Sequence, residues 1–333
     1  MVEGDGPQQF GDVRSVVVDD LNRMWVVDAL ASELRVFEGD GTFVRAIGRR
    51  GEGPSEFRRI GDAFRGPGGQ IWVEDLALRR WEVFDTAGTR IEGHAVVSTV
   101  GNSPRAWTRQ GLLAVLDEDV IKFYERIDGR LRAKDRSFPL PQPRMPQMVS
   151  IESGEGSGTM QVPPPFVALP WMVLGSDLDL WLGDSSGEDG HYDIRRIGLD
   201  MGRATLTIRR RYRATDIPDS IRIAALESFR QQYMTGDVLP ASIGLGIIPR
   251  QYPPFVDFHV STDGYLWVRR TLADGVSGFD VFGPDGRYVG QPEMPVGLRA
   301  ATMEIESITD HSIYGIDTDR LGVDYVVRLD IVR

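Results

Sequence analysis

The chain has 333 residues, 41% of them hydrophobic and 26% charged, which is the balance of a globular protein long enough to bury a full core. Its net charge of −11 argues against a nucleic-acid surface, which draws on clustered Lys and Arg. The lack of cysteine excludes disulfides, thiolate metal sites and cysteine nucleophiles, and no apolar run approaches the length of a transmembrane helix.

From the N-terminus, Met1 is followed by VEGDGPQQF rather than by a basic and then apolar leader, so a leader is expected to be absent or already removed. The first strands then follow: VRSVVVD, the turn DDLN, MWVVD with Trp25 and Asp28, LRVF, a glycine turn at Gly41, and GTFVRAIG. GRRGEGPSEF has the glycine density of a phosphate loop, but no helix follows it, and GDGPQQF repeats its form, so it reads as a joint. The pattern returns in IWVED (Trp72, Asp75) and WEVF, in LAVLD (Ala114, Asp117), and in LWLGD (Trp181, Asp184). It returns again in FVDFHVS, LWVRR (Trp267) and FDVF, and in TMEIESI, IYGID (Tyr314, Asp317) and YVVRLDIVR.

Six units result, their aromatic positions separated by 47, 42, 67, 86 and 47 residues. Four short strands per unit of about 45 residues, with Gly and Asp turns between them, describe a propeller blade. The expected fold is all-β, a six-bladed β-propeller of four-stranded antiparallel blades in one domain, 1–333, with a helical insertion between blades 4 and 5. The blades are expected near 10–48, 57–98, 102–138, 166–214, 255–294 and 298–333. Insertions are expected near 139–165, an irregular Pro-rich loop, and 215–254. The second insertion should carry a helix capped by Asp216 or Asp219, with Ile223, Leu226, Phe229 and Tyr233 on one face. Blade 6 supplies three strands, so its outer edge is expected to be short or without a partner strand.

The run GDGPQQFGDVRSVVVDDLNRMWVVDALASELRVFEGDGTFVRAIGRRGEGPSEF resembles NHL-type repeats. The whole chain is similar to bacterial six-bladed propellers of the NHL and TolB-like group, many of them secreted or lipid-anchored. The resemblance implies a location outside the cytoplasm, whether periplasmic, secreted or lipid-anchored with the leader removed; a cytoplasmic location stays open.

Connections from a fourth strand to the next first strand emerge on the same face as the turns between second and third strands. Both insertions are therefore expected over the channel mouth. Alignment on the aromatic position puts Ser15, Asp62, Pro104, Trp171, Asp257 and Glu304 ten residues earlier, on the innermost strands. Two residues further on lie Val17, Phe64, Ala106, Val173, His259 and Glu306. Asp62, Asp257, His259 and Glu304 are thus candidate catalytic groups, with Asp62, Asp257 and Glu304 as a candidate metal set. Arg105, Trp107, Trp171 and Glu306 are candidate pocket residues. Six-bladed lactonases and phosphotriesterases that use Ca²⁺ hold it near this point in the blade, so the resemblance implies Ca²⁺; this chain lacks their asparagines and their EGPVW-like start. The repeated acids Asp28, Asp75, Asp117, Asp184 and Asp317 read as turn caps. The four histidines show no zinc spacing, GDSSG is a turn without a matching histidine, and RRRYR reads as a charged outer rim.

Three functional readings follow. One is a propeller that binds a small molecule or protein on its insertion-bearing face. The second is a hydrolase, lactonase or lyase using the channel acids, with or without Ca²⁺. The third is a structural subunit of an envelope assembly, joined through the rim or the blade 6 edge.

Overall fold

The computed structural model describes residues 6, 8–97, 105–141, 145–152, 159–184, 187, 190–233, 243–271, 277–293 and 303–332. Blade 1 consists of β1 (Val13–Val18), β2 (Met24–Asp28), β3 (Glu33–Phe37) and β4 (Phe43–Ile47). Blade 2 consists of β5 (Ile60–Arg65), β6 (Ile71–Asp75), β7 (Arg80–Phe84) and β8 (Arg90–Ala95). Blade 3 holds β9 (Arg105–Trp107), β10 (Leu112–Asp117), β11 (Val120–Ile127) and β12 (Arg130–Pro139). A hairpin, β13 (Val149–Glu152) with β14 (Thr159–Val162), precedes blade 4. Blade 4 holds β15 (Trp171–Gly175), β16 (Asp179–Asp184), β17 (His191–Gly198) and β18 (Arg203–Arg211), and the helix α1 (Asp219–Tyr233) follows it. Blade 5 is β19 (Asp257–Val260), β20 (Leu266–Thr271), β21 (Ser277–Phe282) and β22 (Tyr288–Gly290). Blade 6 is β23 (Glu304–Ile308), β24 (Ser312–Thr318) and β25 (Asp324–Asp330). Each blade is an antiparallel meander, and blade 6 has three strands among the described residues.

The innermost strands touch in the order β1, β5, β9, β15, β19, β23 and back to β1, which closes the ring. Each second strand is apolar over most of its length because it is buried between two neighbouring blades, and the core accordingly lies in wedges between blades. Val17, Trp25 and Val36 meet Phe57, Val73 and Phe84 between blades 1 and 2. Trp72 and Trp81 meet Trp107 and Leu113 between blades 2 and 3. The wedge that joins the ends of the ring sets Val16, Val26 and Phe37 against Tyr314 and Ile316.

Two of the five repeated acids, Asp75 and Asp28, are seen to act on the backbone as their repetition implied. The carboxylate of Asp75 accepts hydrogen bonds from the N–H groups of Arg58 (2.9 Å), Ala77 and Leu78 (both 3.1 Å), and Asp28 accepts from Gly11 (3.1 Å) and Ala31 (3.2 Å). Each thereby fixes both the turn beyond its strand and the chain entering its blade. In the joint, Gly48 has φ +94°, and a side chain there would meet the ring of Phe57 at 2.8 Å, so both backbone sign and space call for glycine.

The two insertions pack on each other. Ile151 and Val162 of the hairpin, Leu226 and Phe229 of α1, and Ile243 and Ile248 beyond it share one small core. The described part of the first insertion includes a hairpin, where a wholly irregular loop was expected: Ile151 and Val162, on VSIE and TMQV, present a small apolar face that α1 covers. Leu226 and Phe229 face inward as the helical period predicts, but Ile223 is 52% exposed and Arg222 takes an inward place. The guanidinium of Arg222 donates to the carbonyls of Pro249 (3.1 Å), Leu245 (3.1 Å) and Ile248 (3.0 Å), which satisfies three backbone acceptors of the following loop. Rungs from the N–H of Ile217 to the carbonyl of Arg250 and from that of Tyr252 to Thr215 tie the base of this cap. Among the described residues no helix is long and apolar enough to cross a membrane.

Candidate functional site at the channel mouth

The strand order alone decides which end of the channel matters. In a four-stranded meander the innermost strand begins on the face where the fourth strand of the preceding blade ends. The hairpin and α1 both belong to such connections, and Arg105, Trp171, Asp257 and Glu304 are the first residues of β9, β15, β19 and β23. The predicted site residues and the cap therefore belong to the same face.

The register at the aromatic position agrees with the sequence alignment in five blades: Val17 pairs with Trp25, Phe64 with Trp72, Ala106 with Ala114, Val173 with Trp181 and His259 with Trp267. Blade 6 departs by one residue. Ser307, not Glu306, lies opposite Tyr314, because a bulge between Ile305 and Ser307 inserts Glu306. Bulges also interrupt β1 between Val13 and Ser15, at Arg14, and β5 between Ile60 and Ala63, at Gly61 and Asp62. A bulge bends the strand and re-aims the side chain it carries. Three consecutive blades, 6, 1 and 2, thus bring Glu306, Arg14 and Asp62 out of the ladder.

Most of the remaining candidates are ties between blades. Ser15 Oγ accepts the N–H of Ala63 (2.9 Å), and Glu306 Oε2 accepts that of Val16 (3.0 Å). The indole N–H of Trp171 donates to the carbonyl of Phe258 (3.0 Å), and Arg269 donates to that of Met303 (2.5 Å). Arg105 Nη2 stands 2.8 Å from Glu74 Oε2 and 4.0 Å from Asp62 Oδ2, with its guanidinium 4.8 Å from the Phe64 ring centre. The N–H of Arg109 donates to the carbonyl of Ser176 (2.8 Å). Each of the six junctions around the ring thus has at least one polar tie.

Asp257 is buried, receives the guanidinium of Arg269 through Oδ1 (3.0 Å) and Oδ2, and lies 3.4 Å from His259 Nε2. Burial alone would raise its pKa, but His259 and Arg269 outweigh burial and hold the carboxyl below its ordinary value. It is consumed by a buried ion pair. Trp107 does not reach the mouth; it is buried 5.1 Å from the ring of Trp72 in the wedge between blades 2 and 3. Pro104 lies outside the described residues.

Asp62, Glu304 and Glu306 are left at the mouth. Burial, joined by the nearby carboxylates of Glu304 and Asp62 and opposed by the hydrogen bond from Val16, pushes the Glu306 carboxyl up to about 8. Asp62 and Glu306 are two blades apart, so they sense each other through the channel. Burial also raises Asp62, against the pull of Arg105 and Arg14, and raises Glu74, chiefly against Arg105. Arg14 is held by Asp12 at 2.9 Å, and Glu304 is exposed. Where the first strands of blades 4 and 5 begin, Leu169, Trp171 and Val256 are 36%, 37% and 42% exposed. Carboxyl groups thus gather on the side of blades 6, 1 and 2, and exposed apolar side chains stand at the strand starts of blades 4 and 5.

Glu74 and Arg269 were not foreseen, although a sequence signal existed. Both lie two residues after the repeat aromatic, where the other blades have Val27, Leu116, Gly183 and Ile316. A charge at an otherwise uncharged repeat position marks a buried partner. Among the described residues, no group of three or more His, Asp or Glu side chains is arranged to hold a metal ion. The set Asp62, Asp257 and Glu304 does not fit Ca²⁺, because Arg269 occupies the carboxylate of Asp257. RRRYR also differs from a plain rim: Arg210 packs 3.5 Å from the Tyr288 ring centre and donates to Asp280 (3.1 Å), a buried carboxylate that also receives Tyr192 and Arg270. The middle serines of GDSSG lie outside the described residues.

A closed ring of six antiparallel sheets makes the protein a six-bladed β-propeller. A family model described as a 6-bladed beta-propeller matches residues 8–72. Similar solved structures include virginiamycin B lyase from Staphylococcus aureus, an inactive variant with quinupristin (13% identity, 98% of this chain and 97% of that one, TM-score 0.48). A member of the DUF4221 family from Bacteroides vulgatus (10% identity, 98% and 95%, TM-score 0.48) and a protein of unknown function from Bacteroides caccae (11%, 90% and 86%, TM-score 0.43) are also similar. No curated protein matches the chain. At these identities the likeness concerns fold alone.

Proposed function

We propose that the protein is a binding propeller that takes, at the channel mouth beside the cap, a ligand with a cationic group on an apolar body. The observation that carries this reading is the two-sided mouth. Arg105, shared between Glu74 (2.8 Å) and Asp62 (4.0 Å), Arg269 with Asp257, and Arg14 with Asp12 leave carboxyl groups in excess, and Asp62 and Glu304 are the ones placed to receive a cation. Across from them Trp171, fixed by its bond to Phe258, offers an aromatic face with Leu169 and Val256 beside it. A location outside the cytoplasm belongs to the same proposal and rests on the resemblance to secreted and lipid-anchored propellers; fractionation of cells making the protein from its natural gene tests it.

Calorimetric titration with octylamine, cationic at pH 7, and with octanoate separates charge from apolar contact. Octylamine should bind at least about tenfold more tightly, and Asp62→Asn with Glu304→Gln should remove that preference. Equal binding of the two, or a preference for octanoate, contradicts the reading.

A second reading is favoured by one observation: a half-buried carboxyl raised to about 8, with Glu304 and Asp62 near enough to act on it, is the arrangement of a general acid with acidic neighbours. On that reading Glu306 delivers a proton to a bound ester or ether oxygen, in a hydrolase or lyase step that uses no metal.

A further inference from the structure

RRRYR, the run at the end of β18, takes no part in the mouth. β18 is the outer strand of blade 4 and is nine residues long, where the outer strands of blades 1, 2 and 5 have five, six and three. Residues 190–233, which hold β17, the turn 199–202, β18 and α1, are described without a break. No strand is laddered on the outer side of β18 among the described residues, and blade 4 already has the four strands that the repeat supplies. An edge strand turns the N–H and C=O of every second residue outward, so β18 offers a longer open ladder than those three blades do.

The side chains of this strand divide by face. Leu206 and Ile208 pack in the wedge with blade 5, and Arg210 turns the same way to Asp280. Thr207, Arg209 and Arg211 alternate to the other face, where Arg195 of β17 lies opposite Thr207. Arg209 lies 3.6 Å from Asp193, but Arg195, Arg203, Arg211 and Arg213 are exposed and are not ion-paired among the described residues. From His191 to Arg213 the chain has seven arginines and two acids, in a molecule of net charge −11. The outer strand of blade 3, β12, has ten residues, but Asp135 interrupts its basic run and Arg136 is turned to the carbonyl of Leu199 (2.8 Å). The open edge of blade 4 is therefore both long and uniformly basic.

We infer that blade 4 takes an extended segment of a partner protein, with Asp or Glu at every second position, as a fifth strand beside β18. The same strand from a second copy would set arginine against arginine across the new pair, which disfavours self-association at this edge. An acid-bearing strand reverses the sign of those contacts. Its acids, on the face of Thr207, Arg209 and Arg211, come beside Arg195 and Arg211, which have no carboxylate to give up. The ladder supplies affinity and the arginines supply the choice of sequence. A polyanion without a strand would use the arginines and leave the backbone edge open.

Amide hydrogen exchange on the full chain tests the inference, with acetylated and amidated peptides as probes. TEVEVEVT should slow exchange within β18, and its Lys counterpart TKVKVKVT should bind at least about tenfold more weakly. TEVEPEVT, which keeps the charges but cannot continue the ladder, should give no protection. In the variant that joins Arg195→Glu to Arg211→Glu, two exposed sites outside any core, the preference should reverse and TKVKVKVT should protect β18. Absence of protection by TEVEVEVT would overturn the inference, as would equal protection by the proline peptide, which would leave only a charged patch. Exchange already slow along the whole of β18 in the protein alone would show the edge covered by its own chain, and slowing that grows with protein concentration would show a second copy there. Either result would overturn the inference as well.

Discussion

At the scale of single residues, the chemistry of the mouth turns on which charges are already spent. Asp257 and Arg269 illustrate the buried case: each is worth little as a ligand group because the other holds it, and removal of one alone would strand an uncompensated charge. Glu306 is the opposite case, a carboxyl whose surroundings oppose its charge. Its folded pKa, about 8, lies above its ordinary value of 4.5, so between those limits the folded chain keeps a proton that the unfolded chain releases. This group's contribution is present in full below the unfolded value and is lost as pH rises through the folded one, by at most about 1.4 kcal/mol per pH unit. Glu306→Gln keeps an oxygen for the N–H of Val16 but cannot ionise. Urea melts from pH 5.5 to 9 should therefore show wild type losing stability relative to the variant as pH rises. Parallel curves would show that Glu306 carries no such shift.

At the scale of elements, the repeat was legible because every second strand must bury one aromatic or apolar residue at the same place, and the spacing of Trp25, Trp72, Trp181, Trp267 and Tyr314 records that demand. The bulges were not legible. TMEIESI alternates as an uninterrupted strand would, and the extra residue at Glu306 is imposed by contacts with blade 1 that arise only on ring closure. The helix itself was legible, but Arg222 took an inward place because the loop that follows needed a donor for three carbonyls, a need that periodicity does not register. The cap has its own small core, separate from the wedges between blades. Phe229→Ala should therefore cost it about 3 kcal/mol and loosen the cap before the ring. Limited proteolysis should cut the variant first within 139–165 or 215–254, with exchange in β2 and β6 unchanged; loss of protection in β2 and β6 at the same rate would mean that cap and ring unfold together.

At the scale of the whole molecule, ring closure brings residues from distant parts of the chain to one mouth. Asp62, Trp171 and Glu304 come from three blades, and the two insertions are placed on that face by the direction of the strands that lead into them. The fold was readable from the sequence because it repeats, and Asp62, Trp171 and Glu304 were reached by aligning that repeat; Glu74 and Arg269, the buried partners that decide which charges are spent, were not, because each departs from the repeat in a single blade. The most direct test is a crystal structure of the protein with octylamine. The ammonium group is expected within hydrogen-bond distance of Asp62 or Glu304, with the alkyl chain against Trp171 and Val256. An octylamine molecule seated elsewhere, with an unchanged mouth, would contradict the account.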